Sequence, residues 1–224
     1  MDAREQLLQA AIKVYSTSGV RGATTKRIAQ EAQVNEVTLF RQFGSKEALL
    51  QEALARSAQA LFESGLPATP RDPANELLAL ARNHYKALWE HRELIRVAMG
   101  EFGEHPESTH VACEASARFD RELKSYLTQL KVQGLASGDW DPDAAAAMLL
   151  GTLFSDVMGR DCMPQCYSLD PDAAVTEYLS LFLRAIGVET AAHVRANPSR
   201  SPQSGVHSPE PGVHSPIPGV RRVR

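Results

Sequence analysis

The sequence predicts an all-α protein, and three observations carry that reading. Apolar residues recur at intervals of three and four along most of the first 190 positions of the 224-residue chain, the period of helices that each bury one face. No segment shows sustained alternation of apolar and polar residues with β-branched side chains, so no strand is predicted. Breakers and caps fall between the periodic stretches: Gly19, Asn35, Gly44, Ser45, Pro142 and Pro171 stand where one helix should stop or the next begin.

Taken in order, Arg4 to Ser18 sets Leu7, Leu8, Ala11, Ile12 and Tyr15 on one stripe, with Gly19 ending the helix and Gly22 keeping the connection open. Thr24 or Thr25 caps a second helix whose buried stripe is Ile28, Ala29 and Ala32, while Lys26, Arg27, Gln30 and Glu31 stay in water. Gln33 and Val34 make a turn, and Asn35 caps a third helix with Leu39 and Phe43 on its inner face. Its other face carries Val37, Thr38, Arg41 and Gln42; Arg and Gln can pair bidentately with base edges in a major groove, and Thr can bond a phosphate or touch a thymine methyl. Gly44 breaks that helix and Ser45 caps the next, which opens on Lys46 and runs to Glu63 with Leu49, Leu50, Ala53, Leu54, Ala58 and Leu61 inward. Two short helices around a tight turn, followed at once by a third, form a helix-turn-helix suited to DNA.

Beyond the breaker-rich loop from Ser64 to Pro73, helices are expected over Ala74–His91, Leu94–Phe102, Glu107–Val132, Pro142–Met158 and Pro171–Ile186. Proline near the start of the last two costs nothing, because the N–H it lacks would have no partner there. From about Ala192 the composition changes: GVHSPEP is followed by GVHSPIP, a Pro, Ser and Gly-rich repeat that cannot bury a core and is expected to be disordered.

The window from Thr24 to Leu49 resembles the DNA-binding domain of the tetracycline-repressor (TetR) family, supplying Thr25, Ile28, Ala29, Ala32, Val34, Thr38, Leu39, Phe40, Phe43, Lys46, Glu47 and Leu49 in the family's order. Three positions depart from the family's pattern. Gln33 stands where glycine is usual and must accept the backbone the turn demands, Phe40 replaces the commoner tyrosine and so lacks a phenol for a phosphate, and Gln42 takes a His or Tyr position. The resemblance implies a three-helix DNA-binding domain at 1–50 and a helical ligand-binding and dimerisation domain at 51–190, with 191–224 as the tail. It implies DNA contacts from Thr25, Lys26, Arg27, Val37, Thr38, Phe40, Arg41, Gln42 and Lys46, with Arg41 the foremost candidate for base specificity. It implies pairing of the last two helices with those of a second copy through Ala147, Gly151, Phe154, Leu179, Phe182 and Leu183. It also implies a small-molecule cavity in the body, for which the aromatic and sulfur side chains His84, Tyr85, Trp89, Met99, Phe102, Phe119, Tyr126, Met148 and Phe154 are candidates. The expected partners are double-stranded operator DNA, a second copy and an unknown effector, and the expected function is a ligand-responsive repressor on a pseudo-palindromic operator.

Composition bounds the rest. With 43% hydrophobic residues a sizeable core is available, yet no run reaches the length of a membrane span, and the charged start MDAREQ predicts no export signal and a cytoplasmic protein. Lys and Arg minus Asp and Glu give 7 − 5 = +2 for residues 1–50, 12 − 21 = −9 for 51–190 and 5 − 1 = +4 for 191–224, so the molecule should approach DNA head first. Three cysteines argue against a disulfide framework. Cys162 and Cys166 leave open a redox- or metal-responsive alternative, although no zinc-spaced partner pair accompanies them. A second alternative is a dimeric interaction protein that has lost DNA binding. Phosphate-loop, HExxH and GxSxG patterns are missing, so no enzyme activity, cofactor or metal is expected.

Overall fold

A computed structural model describes residues 2–101, 103 and 106–189, and among them regular structure is wholly helical. Its α-helices are α1 (Ala3–Gly22), α2 (Thr25–Glu31), α3 (Glu36–Phe43), α4 (Lys46–Leu61), α5 (Pro73–Glu90), α6 (Arg92–Glu101), α7 (Pro106–Val132), α8 (Pro142–Gly159) and α9 (Pro171–Ala185), with a 3-10 turn at Pro164–Cys166 before the last. Phe102 and the tail at 191–224 lie outside the described residues. No described helix is long and apolar enough to cross a membrane.

Side-chain caps start most of these helices. Asp2, Thr24, Asn35, Ser45, Asp72, Asp141 and Asp170 each accept a backbone N–H from the first turn that follows, satisfying donors that have no intrahelical partner. The first helix departs from expectation. Gly19 (φ 64) bends α1 instead of ending it, and the chain makes one more turn to Gly22. The Glu101 carboxylate at the end of α6 explains the extra turn, because it accepts from the Val20 N–H at 2.9 Å. A Cβ on residue 19 would sit 2.2 Å from Glu101 Oε1, so a larger residue would both strain the positive φ and push that carboxylate aside.

Two apolar clusters hold the helices together. The first joins Leu7, Leu8, Ala11 and Tyr15 of α1 to Ile28, Leu39, Leu49, Leu50 and Leu54, and draws in Leu94 from α6. The second is built from Leu77, Tyr85, Phe119, Leu123, Leu127, Leu153, Leu179, Phe182 and Ile186, and takes in Leu61 at the end of α4. The packing therefore passes from one cluster to the other between Leu54 and Leu61, part-way along α4. Helix α6 lies along α1, α7 along α4, and both α8 and α9 against α5.

Candidate nucleic-acid interface

Helix α3 is fastened on one side and open on the other. Asn35 Oδ1 accepts the Val37 N–H at 2.8 Å and fixes its start, Gly44 (φ 76) lets the chain leave it, and fully buried Leu39 pins it to the first cluster. Phe43 is half-buried, with the Arg4 guanidinium 4.9 Å from its ring centre. The turn before α3 closes through a Val34 N–H bond to the Ala29 carbonyl, and Gln33 adopts φ 56, the strained value that the family's usual glycine would accept freely. Arg41 and Gln42 are exposed on the open side, with Val37 71% and Phe40 49% accessible and Thr38 half-buried.

The remaining side chains expected at DNA are distributed differently. Thr25 Oγ1 donates to Glu36, tying the start of α2 to the start of α3. Arg27 turns back to the Gly22 carbonyl at 2.9 Å, and Lys46 Nζ donates to the Val20 carbonyl at 3.2 Å. Lys26 is exposed. Sequence spacing placed these cations on the rim but could not show that two of them cap the carbonyls at the end of α1. The same peptide region is gripped from both sides, since Val20 gives its N–H to Glu101 of α6 and its C=O to Lys46 of α4.

In the body, the nine side chains expected around one cavity include Phe102, which lies outside the described residues, and the other eight have separate surroundings. His84 stacks on Phe119 with centroids 4.6 Å apart, next to Phe62, and its Nδ1 lies 3.3 Å from the Leu61 carbonyl at the end of α4. Burial holds its imidazole down at a pKa of about 4, against a weaker upward pull from that carbonyl. Trp89 lies under the Arg92 guanidinium, Tyr126 donates to Glu76 at 2.5 Å, and Phe154 is half-buried against the second cluster. Met99 and Met148 face solvent at 60% and 48%. Helical spacing identifies an inward stripe, but whether its members meet a cavity or one another depends on the neighbouring helices.

Tyr85 belongs to a polar network that the sequence reading missed. Asp156, almost fully buried, accepts from Tyr85 at 2.6 Å, Tyr178 at 2.7 Å and Arg160 at 2.6 and 3.0 Å. Burial alone would raise the carboxyl pKa, but the bonds from Arg160, Tyr85 and Tyr178 outweigh it and hold the group below its ordinary value. Burial and the same carboxylate push the Tyr178 phenol up to about 12. The available signal was one acid within the apolar run of α8, with an arginine four residues on.

The residues expected at the dimer interface divide between the subunit's own core and its surface. Leu179, Phe182 and Leu183 are buried in the subunit's own core, because they are the inward stripe of α9 and the outward stripe is offset from it. Exposed on these helices are Ala147, Met148 and Gly151 of α8 and Leu181 and Ala185 of α9, with Leu181 56% accessible. Met148, Leu149, Thr152, Tyr178, Leu181 and Ala185 line a shallow groove of about 290 Å³ between the two helices, and the edge of Phe182 borders it as well. The bare backbone of Gly159 is covered by the Tyr167 ring of the same chain. Cys162 and Cys166 are exposed, and among the described residues no three His, Cys, Asp or Glu side chains are grouped to hold a metal.

Comparison with known proteins bears on the DNA-facing end. Residues 7–53 match the profile of the family described as bacterial regulatory proteins, tetR family. The HTH-type transcriptional regulator YvkB of Bacillus subtilis (strain 168) is 28% identical over 131 residues, covering 58% of this chain and 69% of that protein. The nicotine-responsive transcriptional repressor HdnoR of Paenarthrobacter nicotinovorans is also 28% identical, over 57% of this chain and 68% of its own. A solved structure described as a TetR-family transcriptional regulator from Mesorhizobium loti MAFF303099 shares the fold with a TM-score of 0.67 and 22% identity, covering 83% of this chain and 97% of that one.

Proposed function

Because this chain belongs to the tetR family of bacterial regulatory proteins and is a transcriptional regulator, we propose that it is a repressor that binds a pseudo-palindromic operator as a homodimer and leaves it when a small molecule occupies the body. The observation that carries the proposal is α3, anchored through Leu39 with Val37, Phe40, Arg41 and Gln42 turned to solvent. A guanidinium without a protein partner on such a helix can take a guanine edge through both its N–H groups. The outer face of α8 and α9 supports pairing of two copies: Gly151 has open space where a side chain would be, and Met148 and Leu181 expose apolar surface beside it.

Release follows from differential affinity. An effector that prefers a body with α6 displaced pulls on Glu101, hence on Val20 and the end of α1, and through Lys46 on the start of α4. The spacing of the paired recognition helices changes, and operator affinity falls by the factor by which the effector prefers that state. The nicotine-responsive relative is consistent with effector control.

The test begins with selection of bound sequences from randomised duplex DNA. A pseudo-palindrome with half-sites about 34 Å or somewhat more apart is expected for a two-fold dimer. Arg41→Ala should then weaken the selected site by roughly 1–3 kcal/mol and relax preference at one or two positions. An Arg41→Ala protein with unchanged affinity and unchanged preference at fixed salt excludes Arg41 as a base reader.

A further inference from the structure

Val37 is the most exposed large apolar side chain of the DNA-facing end, 71% accessible on the second residue of α3. Nothing in the fold needs a valine there. The inner face of the helix is already held by Leu39 and Phe43, the position makes no capping bond through its side chain, and a β-branched residue is a weaker helix former than the alanine that would fit equally well. Its neighbours on the surface are Phe40 and Arg41, three and four residues on and therefore on the same face. An exposed valine beside a guanidinium is poorly matched to water but well matched to a major groove, where the apolar feature on a base edge is the 5-methyl group of thymine.

The inference rests on the operator-binding reading above: we infer that Val37 reads a thymine 5-methyl group in each half-site, next to the guanine taken by Arg41. Residues four apart on a helix are separated by about 6 Å along its axis, and base pairs stack roughly 3.4 Å apart. The thymine therefore lies one or two base pairs from the guanine. Glu36 does not compete for that base, because the major-groove edge of thymine has no donor for a carboxylate, and one of its oxygens already accepts from Thr25.

The experiment uses the full chain and the sequence selected from a random pool. Each thymine of the half-site is replaced by deoxyuridine, which removes the methyl and changes no hydrogen-bonding group. At one position per half-site the wild-type protein is expected to lose about fourfold in affinity, the factor that burial of one methylene-sized group supplies. Val37→Ala should bind the thymine and deoxyuridine duplexes equally at that position, while Phe40→Ala keeps the distinction. If no position shows a loss that Val37→Ala cancels, or if Phe40→Ala cancels it instead, the assignment is overturned while operator binding stands. A pool that yields no enriched sequence overturns both.

Discussion

Acidification from pH 7.5 to 4 tests whether His84 is the buried, neutral pin that the packing indicates. The imidazole lies against Phe119 and Phe62 with Nδ1 on the Leu61 carbonyl, and its pKa falls from 6.5 to about 4. The unfolded chain then binds a proton below 6.5 that the folded chain refuses, so stability must fall as the pH drops through that window. The contribution is complete above about 6.5 and is lost progressively down to about 4, beneath which both states are protonated. At 1.36 kcal/mol per pKa unit the whole loss is about 3 kcal/mol, of which about 2 kcal/mol is gone by pH 5. Urea unfolding at fixed protomer concentration should show it as a falling midpoint, and His84→Phe should flatten the fall by that amount. Exposed histidines and the carboxylates titrate in both proteins and cancel in the difference. If His84→Phe and wild type lose stability in parallel between pH 7.5 and 5, His84 is solvated or already charged, and the packed ring cluster at the end of α4 is wrong.

Three further perturbations probe other joints. Gly151→Glu should separate the subunits by sedimentation without unfolding them, since the position is open in the single chain while a buried pair of carboxylates costs several kcal/mol in a two-fold interface; a folded dimer places the interface elsewhere. Gly19→Ala should destabilise by about 2 kcal/mol in chemical denaturation, because alanine must hold a positive φ and displace Glu101 from the Val20 N–H. Asp156→Ala should cost about 3 kcal/mol by removing the acceptor that two phenols and two nitrogens of Arg160 share, leaving the guanidinium its backbone carbonyls, and a loss under about 1 kcal/mol would mean that water reaches the network.

What the sequence disclosed and what it hid follow from the range of the interactions. The recognition helix was legible because its determinants are local: Thr24, Asn35, Gly44 and Ser45 mark ends within a few residues of the bonds they make, and Leu39 sits at helical spacing from Phe43. The positive φ of Gln33 falls at the turn position where the family's pattern has glycine. The Glu101 to Val20 bond joins residues 81 apart, and nothing near Glu101 advertises it. Leu179, Phe182 and Leu183 show the same limit on one helix. Their apolar spacing is plain, yet only the position of α5 and α8 decides that this stripe is core and that Leu181 and Ala185 face outward.

The DNA-facing end carries few cations that are free to meet phosphate, and that bears on how the protein finds its site. Of the seven in residues 1–50, Arg4 pairs with Glu52, Lys13 with Glu31, and Arg27 and Lys46 with carbonyls at the end of α1, and Arg21 is also engaged within the chain. Lys26 and Arg41 stand exposed, behind them is the acidic 51–190 segment at −9, and drawing Arg27 or Lys46 toward DNA would break an internal bond. With Arg41 on a base edge and one or two phosphate contacts per subunit, a dimer should show a log–log salt slope of about −2 to −4, shallow beside the value near −10 of a strongly electrostatic repressor. Affinity must then come from base contacts and from the effective concentration that one bound subunit supplies to the other. Fluorescence anisotropy over a range of salt concentrations measures the slope directly. Removing residues 193–224 should leave it unchanged; a fall of three or four on truncation would instead assign phosphate contacts to Arg221, Arg222 and Arg224 of the tail, and a full-chain slope near −10 that survives truncation would mean that Arg27 and Lys46 leave their carbonyls on binding.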